Sequence, residues 1–111
     1  MLGITGAQLE RYMDLLSARQ KLVASNIANV DTPGYRTQDI DFQAEFRNAV
    51  GSIAHPQAVE GLAVRNDGNN VSIDRETRLL SENALRFNVA SGLMRASIRT
   101  LRAAIEEGRS A

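Results

Sequence analysis

Residues Ser25–Phe42 read SNIANVDTPGYRTQDIDF, and they end the amphipathic pattern that precedes them. Asn26 and Asn29 sit three apart on the last turn of a predicted helix. Asparagine tolerates the left-handed conformation in which helices often terminate. Thr32 precedes Pro33 and is pushed out of helical space by the ring that follows. Thr32-Pro33-Gly34-Tyr35 fits a type II turn, with proline second and glycine third. Tyr35 then plants a large flat side chain with a polar tip at the bend. The segment therefore turns the chain sharply away from a helical rod.

Before this turn, the pattern predicts a helix from Thr5 or Gly6 to Asn29. Leu9, Met13, Leu16, Val23, Ile27 and Val30 recur at alternating steps of three and four, with Gln20 filling the gap. That is a heptad seam, widened by Tyr12, Leu15 and Leu22. At 1.5 Å per residue the helix is roughly 36 Å long. A second helix is predicted from Asp74, as N-cap, to Glu107, with Gly108 as its stop. Its seam reads Leu80, Ala84, Phe87, Ser91, Met94, Ile98, Leu101, Ile105, and none of these is charged. Its length is on the order of 50 Å. Polar residues in such seams, here Gln20 and Ser91, lower stability but fix register and partner number.

Between the helices lie about forty residues of another kind. Asp41 is expected to cap a short helix with Phe42, Phe46, Ala49 and Val50 on one face. Gly51-Ser52 and His55-Pro56 should break it. Asn66 to Asn70 form a strong turn signal, and Val71 and Ile73 suggest an extended entry to the second helix. A structureless middle of this length counts against a compact monomer. Two helices cannot cover two broad apolar faces alone. The expected fold is mainly α, with long terminal helices packing as a coiled-coil pair around an irregular middle. The expected organisation is one structural domain, divided into 1–30, 31–73 and 74–111. Part of each seam should be buried against other chains.

The chain has 111 residues, 13 Lys+Arg and 13 Asp+Glu, so its formal net charge is zero. That argues against bulk phosphate neutralisation and hence against nucleic-acid binding. With no cysteine, thiolate nucleophiles, disulfides and thiolate zinc sites are excluded. The start, MLGITGAQLERYMDLL, has neither the basic region nor the apolar core of a cleaved signal peptide. No stretch approaches the roughly 18 apolar residues that span a bilayer.

Chemical motifs are sparse. His55, the single histidine, precedes a proline and reads as a loop residue. Asp39 and Asp41 flank Ile40 and read as a solvated turn or helix cap. DGNNVSID resembles a calcium loop only faintly. Counted from Asp67, the sixth position is Ser72, where glycine is required. Asn70-Val71-Ser72 matches a glycosylation sequon, a common chance pattern. Arg95, Arg99, Arg102 and Arg109 share one side of the second helix with Glu106. In a neutral chain this stripe reads as a solvated or intersubunit salt-bridging face. We expect no catalytic, cofactor-binding or metal site, no cofactor and no small-molecule substrate.

Asn26-Ile27-Ala28-Asn29 with Thr32-Pro33-Gly34-Tyr35 closely resembles the N-terminal motif of bacterial flagellar rod, hook and hook-associated proteins, approximately A-N-I-A-N-x-x-T-P-G-Y. The short length and the segment from Asp67 to Gly108 are most similar to the proximal rod members. Asp67 to Val71, Glu76, Asn83, Leu85 and Leu101 to Ile105 carry that second match. The resemblance implies paired terminal helices that line the inner tube of the rod and pack against other copies and other rod proteins. It further implies torque transmission, a periplasmic location in the basal body, and type III export without signal cleavage. FliE-type adaptor and export-gate or membrane-ring components are the implied neighbours. The alternatives are a cytoplasmic coiled-coil adaptor or chaperone and, within the family, a neighbouring, usually longer rod protein. A small enzyme is the third class, without a convergent catalytic set to support it.

Overall fold

A computed structural model describes residues 5–48 and 52–110. The molecule is a rod of 71 × 24 × 18 Å. Helix α1 spans Gly6–Ala28, α2 spans Phe42–Phe46 and α3 spans Ile73–Ser110. Two short strands, β1 (Gln38–Asp39) and β2 (Gln57–Ala58), pair antiparallel with Gln38 opposite Ala58.

Thr5 starts α1 through a capping box. Its hydroxyl accepts from the Gln8 N–H at 3.0 Å, while Gln8 Oε1 accepts from the Thr5 N–H at 2.9 Å. Two orphan donors of the first turn are thereby satisfied. Asp41 caps α2, accepting from the Ala44 N–H at 3.2 Å. Phe42 and Phe46 on α2 meet Tyr12 of α1 edge-on, with ring centroids 5.4 and 6.1 Å apart. Such edge-to-face pairs add to simple area burial. The expected Ala49, Val50 and Gly51 positions lie outside the described residues.

The helix ends require correction. Asp74 does not cap α3 but lies within its first turn. Ser72 occupies the cap position, its hydroxyl accepting from the Arg75 N–H at 3.3 Å. Ile73, expected to be extended, is the first helical residue. Gly108 does not stop the helix, which continues to Ser110. No neighbour meets that glycine within 4 Å, so no tertiary contact forces a break there, and glycine inside a helix costs only about 1 kcal/mol. Helix α1 ends at Ala28, with Asn29 as its C-cap.

Helices α1 and α3 run antiparallel, since Asn26 bonds Glu76 and Gln20 bonds Asn83. From α1, Leu9, Leu15, Leu16 and Val23 are buried. From α3, the buried stripe is Glu76, Leu79, Asn83 and Ala90. The eight positions expected to form the α3 seam lie on the adjoining face. Leu80 is 39% exposed, Phe87 40% and Leu101 60%. Ser91 and Met94 are half-buried, and Ala84, Ile98 and Ile105 are exposed. On α1, Met13, Gln20 and Ile27 are half-buried. Gln20 finds its partner within the chain, accepting from Asn83 Nδ2 at 3.3 Å.

The middle is not structureless. Polar side chains supply the backbone partners that regular structure would otherwise provide. Gly34 has φ +74°, and the Tyr35 N–H donates to the Thr32 carbonyl at 3.2 Å, as a type II turn requires. A second turn packs on it. Gly68 has φ +85°, and a Cβ built there would lie 3.3 Å from Gly34 Cα.

Gly68→Ala should therefore destabilise the fold by about 1–3 kcal/mol, through backbone strain and crowding of the other turn. Gly92→Ala, within α3 and clear of neighbours, should stabilise by up to about 1 kcal/mol. Urea midpoints of the two variants should move in opposite directions; a shared direction would contradict this account of the paired turns.

Candidate functional site

The motif residues converge on a clasp at one end of the helix pair. Asn26 is wholly buried at the last turn of α1. Its Nδ2 donates to the Gln38 carbonyl at 2.8 Å and to Glu76 Oε1. Its Oδ1 accepts from the Tyr35 hydroxyl at 3.0 Å and from the Gln38 N–H at 3.1 Å. One amide thus joins α1, the turn, β1 and α3, using both donors and both acceptor directions. Tyr35 is half-buried against this point, also within 3.3 Å of Ser25 Oγ.

Glu76 is equally buried and pairs through Oε2 with Arg75 Nη1 at 2.7 Å. The other fork of Arg75 reaches Asp39 Oδ2 at 2.6 Å. Arg19 holds both oxygens of Asp39, at 2.9 and 2.8 Å. Asp39 is therefore neither a solvated turn residue nor a cap, but the centre of an arginine pair. Burial alone would raise its pKa. The Arg19 hydrogen bonds, the Ile40 N–H and Arg75 outweigh that effect and hold the carboxyl below its ordinary value.

The Asn66–Asn70 turn completes the clasp. Asn69 Nδ2 donates to the carbonyls of Asn29 and Thr32, both at 2.9 Å, and so caps the end of α1 from forty residues away. Asn70 Oδ1 accepts from the Thr37 N–H at 2.6 Å. Arg65 donates to the carbonyls of Val71, at 3.1 Å, and Val30. The Gly34 N–H donates to the Asp67 carbonyl at 2.8 Å. Asn70 is buried, with its amide oxygen bonded to Thr37, and burial removes it as a glycosylation acceptor in the folded chain. Among the motif positions, Asn29 bonds Ser25 O and Thr32 Oγ1, Ile27 is half-buried, and Ala28, Thr32, Pro33 and Gly34 are exposed.

A smaller polar lock sits near the opposite end of α1. Arg11 is buried and donates to the Glu45 carbonyl at 3.0 Å, to its carboxylate at 3.4 Å and to the Ser52 carbonyl. Glu45 Oε1 accepts from the His55 N–H at 3.0 Å and lies 3.1 Å from His55 Nδ1. The His55 N–H foremost, with the ring and Asn48, lowers the Glu45 pKa against the desolvation that would raise it. His55 is thus a tethered loop residue, not a free one.

These groups are joined to one another rather than left available. Among the described residues no buried side-chain nitrogen or oxygen lacks a partner, and no three acidic or histidine side chains cluster as a metal site. Presented to the outside along α3 are Leu80, Phe87, Ile98, Leu101 and Ile105. Sequence reasoning singled out Asn26 and Tyr35, gave Asn69, Asn70 and Glu76 only as parts of a turn signal and a family match, and missed Arg75, Arg19 and Arg11. The available signal was the presence of two asparagine-rich turns in one short chain; spacing could not pair them.

Asn26→Ala should cost about 1–3 kcal/mol by leaving buried partners unsatisfied. Asn26→Asp should cost more, because it sets a second carboxylate against buried Glu76. Chemical denaturation of both variants tests that order. The depressed carboxyls also set a pH dependence. Asp39 contributes fully above about pH 4 and Glu45 above about pH 4.5, and each contribution is lost as pH falls through the lowered folded value. Stability of the chain should drop on acidification below about pH 4, and Asp39→Asn should flatten that limb; an unchanged acid limb would contradict the assignment.

The α1 and Pro-Gly turn side of the clasp falls within a known family signature. Residues 13–36 match the family model described as flagella basal body rod protein. The chain is 30% identical to flagellar basal body rod protein FlgB of Salmonella typhimurium over an alignment of 125 residues, covering 89% of this chain and 91% of the relative. It is 29% identical to FlgB of Borrelia hermsii over 110 residues, covering 75% and 82% of the two chains. Against FlgB of Escherichia coli it is 25% identical, with coverage of 89% and 91%. The polar turn, the long helix pair and this similarity along most of its length lead to one assignment: the chain belongs to the FlgB family of flagellar basal body rod proteins.

Proposed function

We propose that this chain, a structural subunit of the flagellar basal body rod, polymerises through its terminal helices in the proximal part of the rod. It packs there against its own copies and other rod proteins, transmits torque and lines the export channel. The observation that carries this reading is the exposed α3 seam, Leu80, Phe87, Ile98, Leu101 and Ile105, on an elongated molecule. Contiguous apolar surface of this kind on a soluble chain marks an interaction site. The internal bonding of the clasp supports a mechanical role: it holds the helix pair and the middle as one unit, so load on one reaches the other.

Among the described residues no helix is long and apolar enough to cross a membrane. We take the subunit to lie in the periplasmic rod, exported by the flagellar type III system without a cleaved signal peptide. FliE-type adaptor and export-gate or membrane-ring components are its proposed neighbours at the base. The segment 31–73 supplies lateral contacts, and 1–30 and 74–111 act as axial helices. Similarity to rod proteins along most of the chain does not favour a cytoplasmic coiled-coil adaptor.

A deletion strain complemented with a tagged copy tests this. Loss of swimming, rescue by the copy, and the tag in purified basal bodies at the rod base are expected. Normal motility without the gene, or a tag confined to the cytoplasm, would overturn it.

A further inference from the structure

The exposed face of α3 is not uniform in charge, and its partner surface can be identified on the same molecule. Beyond α1, the apolar stripe Ile98, Leu101 and Ile105 is flanked by Arg99 and Arg102, both exposed. A shallow groove between the helices, lined in part by Ser17, Lys21, Ala84 and Phe87, runs along the other half of the molecule. Glu10, Asp14, Ser17 and Lys21 follow one another at steps of four, three and four, which places them on one stripe of α1. Toward the start of α1 the same stripe carries Glu10 and Asp14 as an acidic edge, and Met94 follows Phe87 along α3 at a step of seven. Both acids are exposed. Among the described residues neither they nor Arg99 and Arg102 take part in an ion pair.

Asp14 and Arg102 cannot satisfy each other within one chain. Gln20 faces Asn83 and Asn26 faces Glu76, so Asp14 lies level with about residue 89 of α3. Arg102 stands about thirteen residues further along, roughly 20 Å away at 1.5 Å per residue. A second copy can supply the match, with an apolar stripe and arginine flank against an apolar groove and acidic edge.

We propose that the α3 end of one copy, Ile98 to Ile105, docks in the α1–α3 groove of another copy, with Arg99 and Arg102 against Glu10 and Asp14. This rests on the self-assembling rod reading above and names its contact. The two surfaces are unlike, so the contact is heterologous and can propagate from copy to copy. Oppositely charged edges set register and exclude the reversed approach.

Charge reversal tests it, since all four residues are exposed and the variants should keep wild-type helicity by circular dichroism. Self-association of the purified full chain is read by sedimentation velocity. E10R/D14R and R99E/R102E should each weaken it at least tenfold, and mixing the two should restore association between unlike copies. Failure of the mixture to recover, or arginine reversal acting alone, would overturn the contact and leave the arginines to another anionic partner. The cysteine-free chain permits a second measurement in complemented cells. Asp14→Cys combined with Arg102→Cys should give disulfide-linked ladders in basal bodies, and each single substitution should not. Motile cells with tagged basal bodies but no ladder would overturn this contact while leaving the rod assignment standing. Loss of the tag from basal bodies would instead count against the rod assignment.

Discussion

A buried amide bonded to a buried carboxylate, Asn26 to Glu76, is the constraint on which the molecule depends. Both residues are inaccessible to solvent, and each would be costly there without the other. The pair fixes where α3 crosses the end of α1. Gln38 and Tyr35 complete the coordination of Asn26, so the same contact fixes where the chain leaves α1. Arg75 and Asp39 extend it to β1 and back to Arg19 on α1. A small apolar core of four buried leucines, two valines, Ile40 and Ala90 would hold two helices together without specifying their offset. The polar chain of contacts supplies that specification, consistent with the use of buried polar groups for register.

The two helices and the Pro-Gly turn were legible in the sequence because each rests on local chemistry. Steps of three and four, a proline after Thr32 and a glycine free to adopt positive φ need no knowledge of the rest of the chain. The facing of α3 was not legible in the same way. A hydrophobic pattern selects Leu80, Phe87, Met94 and Leu101, the larger apolar side chains. The chain instead turns Glu76, Leu79, Asn83 and Ala90 toward α1. Two of those four are polar and are buried because Asn26 and Gln20 await them. The rotation of α3 is set by hydrogen-bond partners 50 and 63 residues away, which no local periodicity contains. The larger apolar stripe is thereby left for surfaces outside the chain.

The middle segment shows the same limit. Its sparse periodicity suggests an irregular stretch, yet its backbone is satisfied by Asn69, Asn70 and Arg65 from distant points of the same segment and by Arg11 and Asn26 from α1. The helix cap at Ser72 in place of Asp74 is a smaller case. Either residue can cap, and the choice follows from Val71 and Asn70 being anchored just upstream, which brings Ser72 to the first turn. At Gly108 the sequence signal for a stop is real, but no returning chain packs there to make use of it.

The span of the clasp has a kinetic consequence. Its bonds join residues up to 50 apart, and the Asn26–Glu76 bond closes the longest interval among them. Contacts of high sequence separation form late, because the entropy of closing the loop must be overcome first. A chain emerging end-first from any narrow passage can form α1 by itself only marginally, since helix stability in water comes mostly from packing. With the N-terminal end leading, it gains its fixed shape only after residue 76 has cleared the exit. Until then the apolar face of α3 has no rigid surface to be presented from.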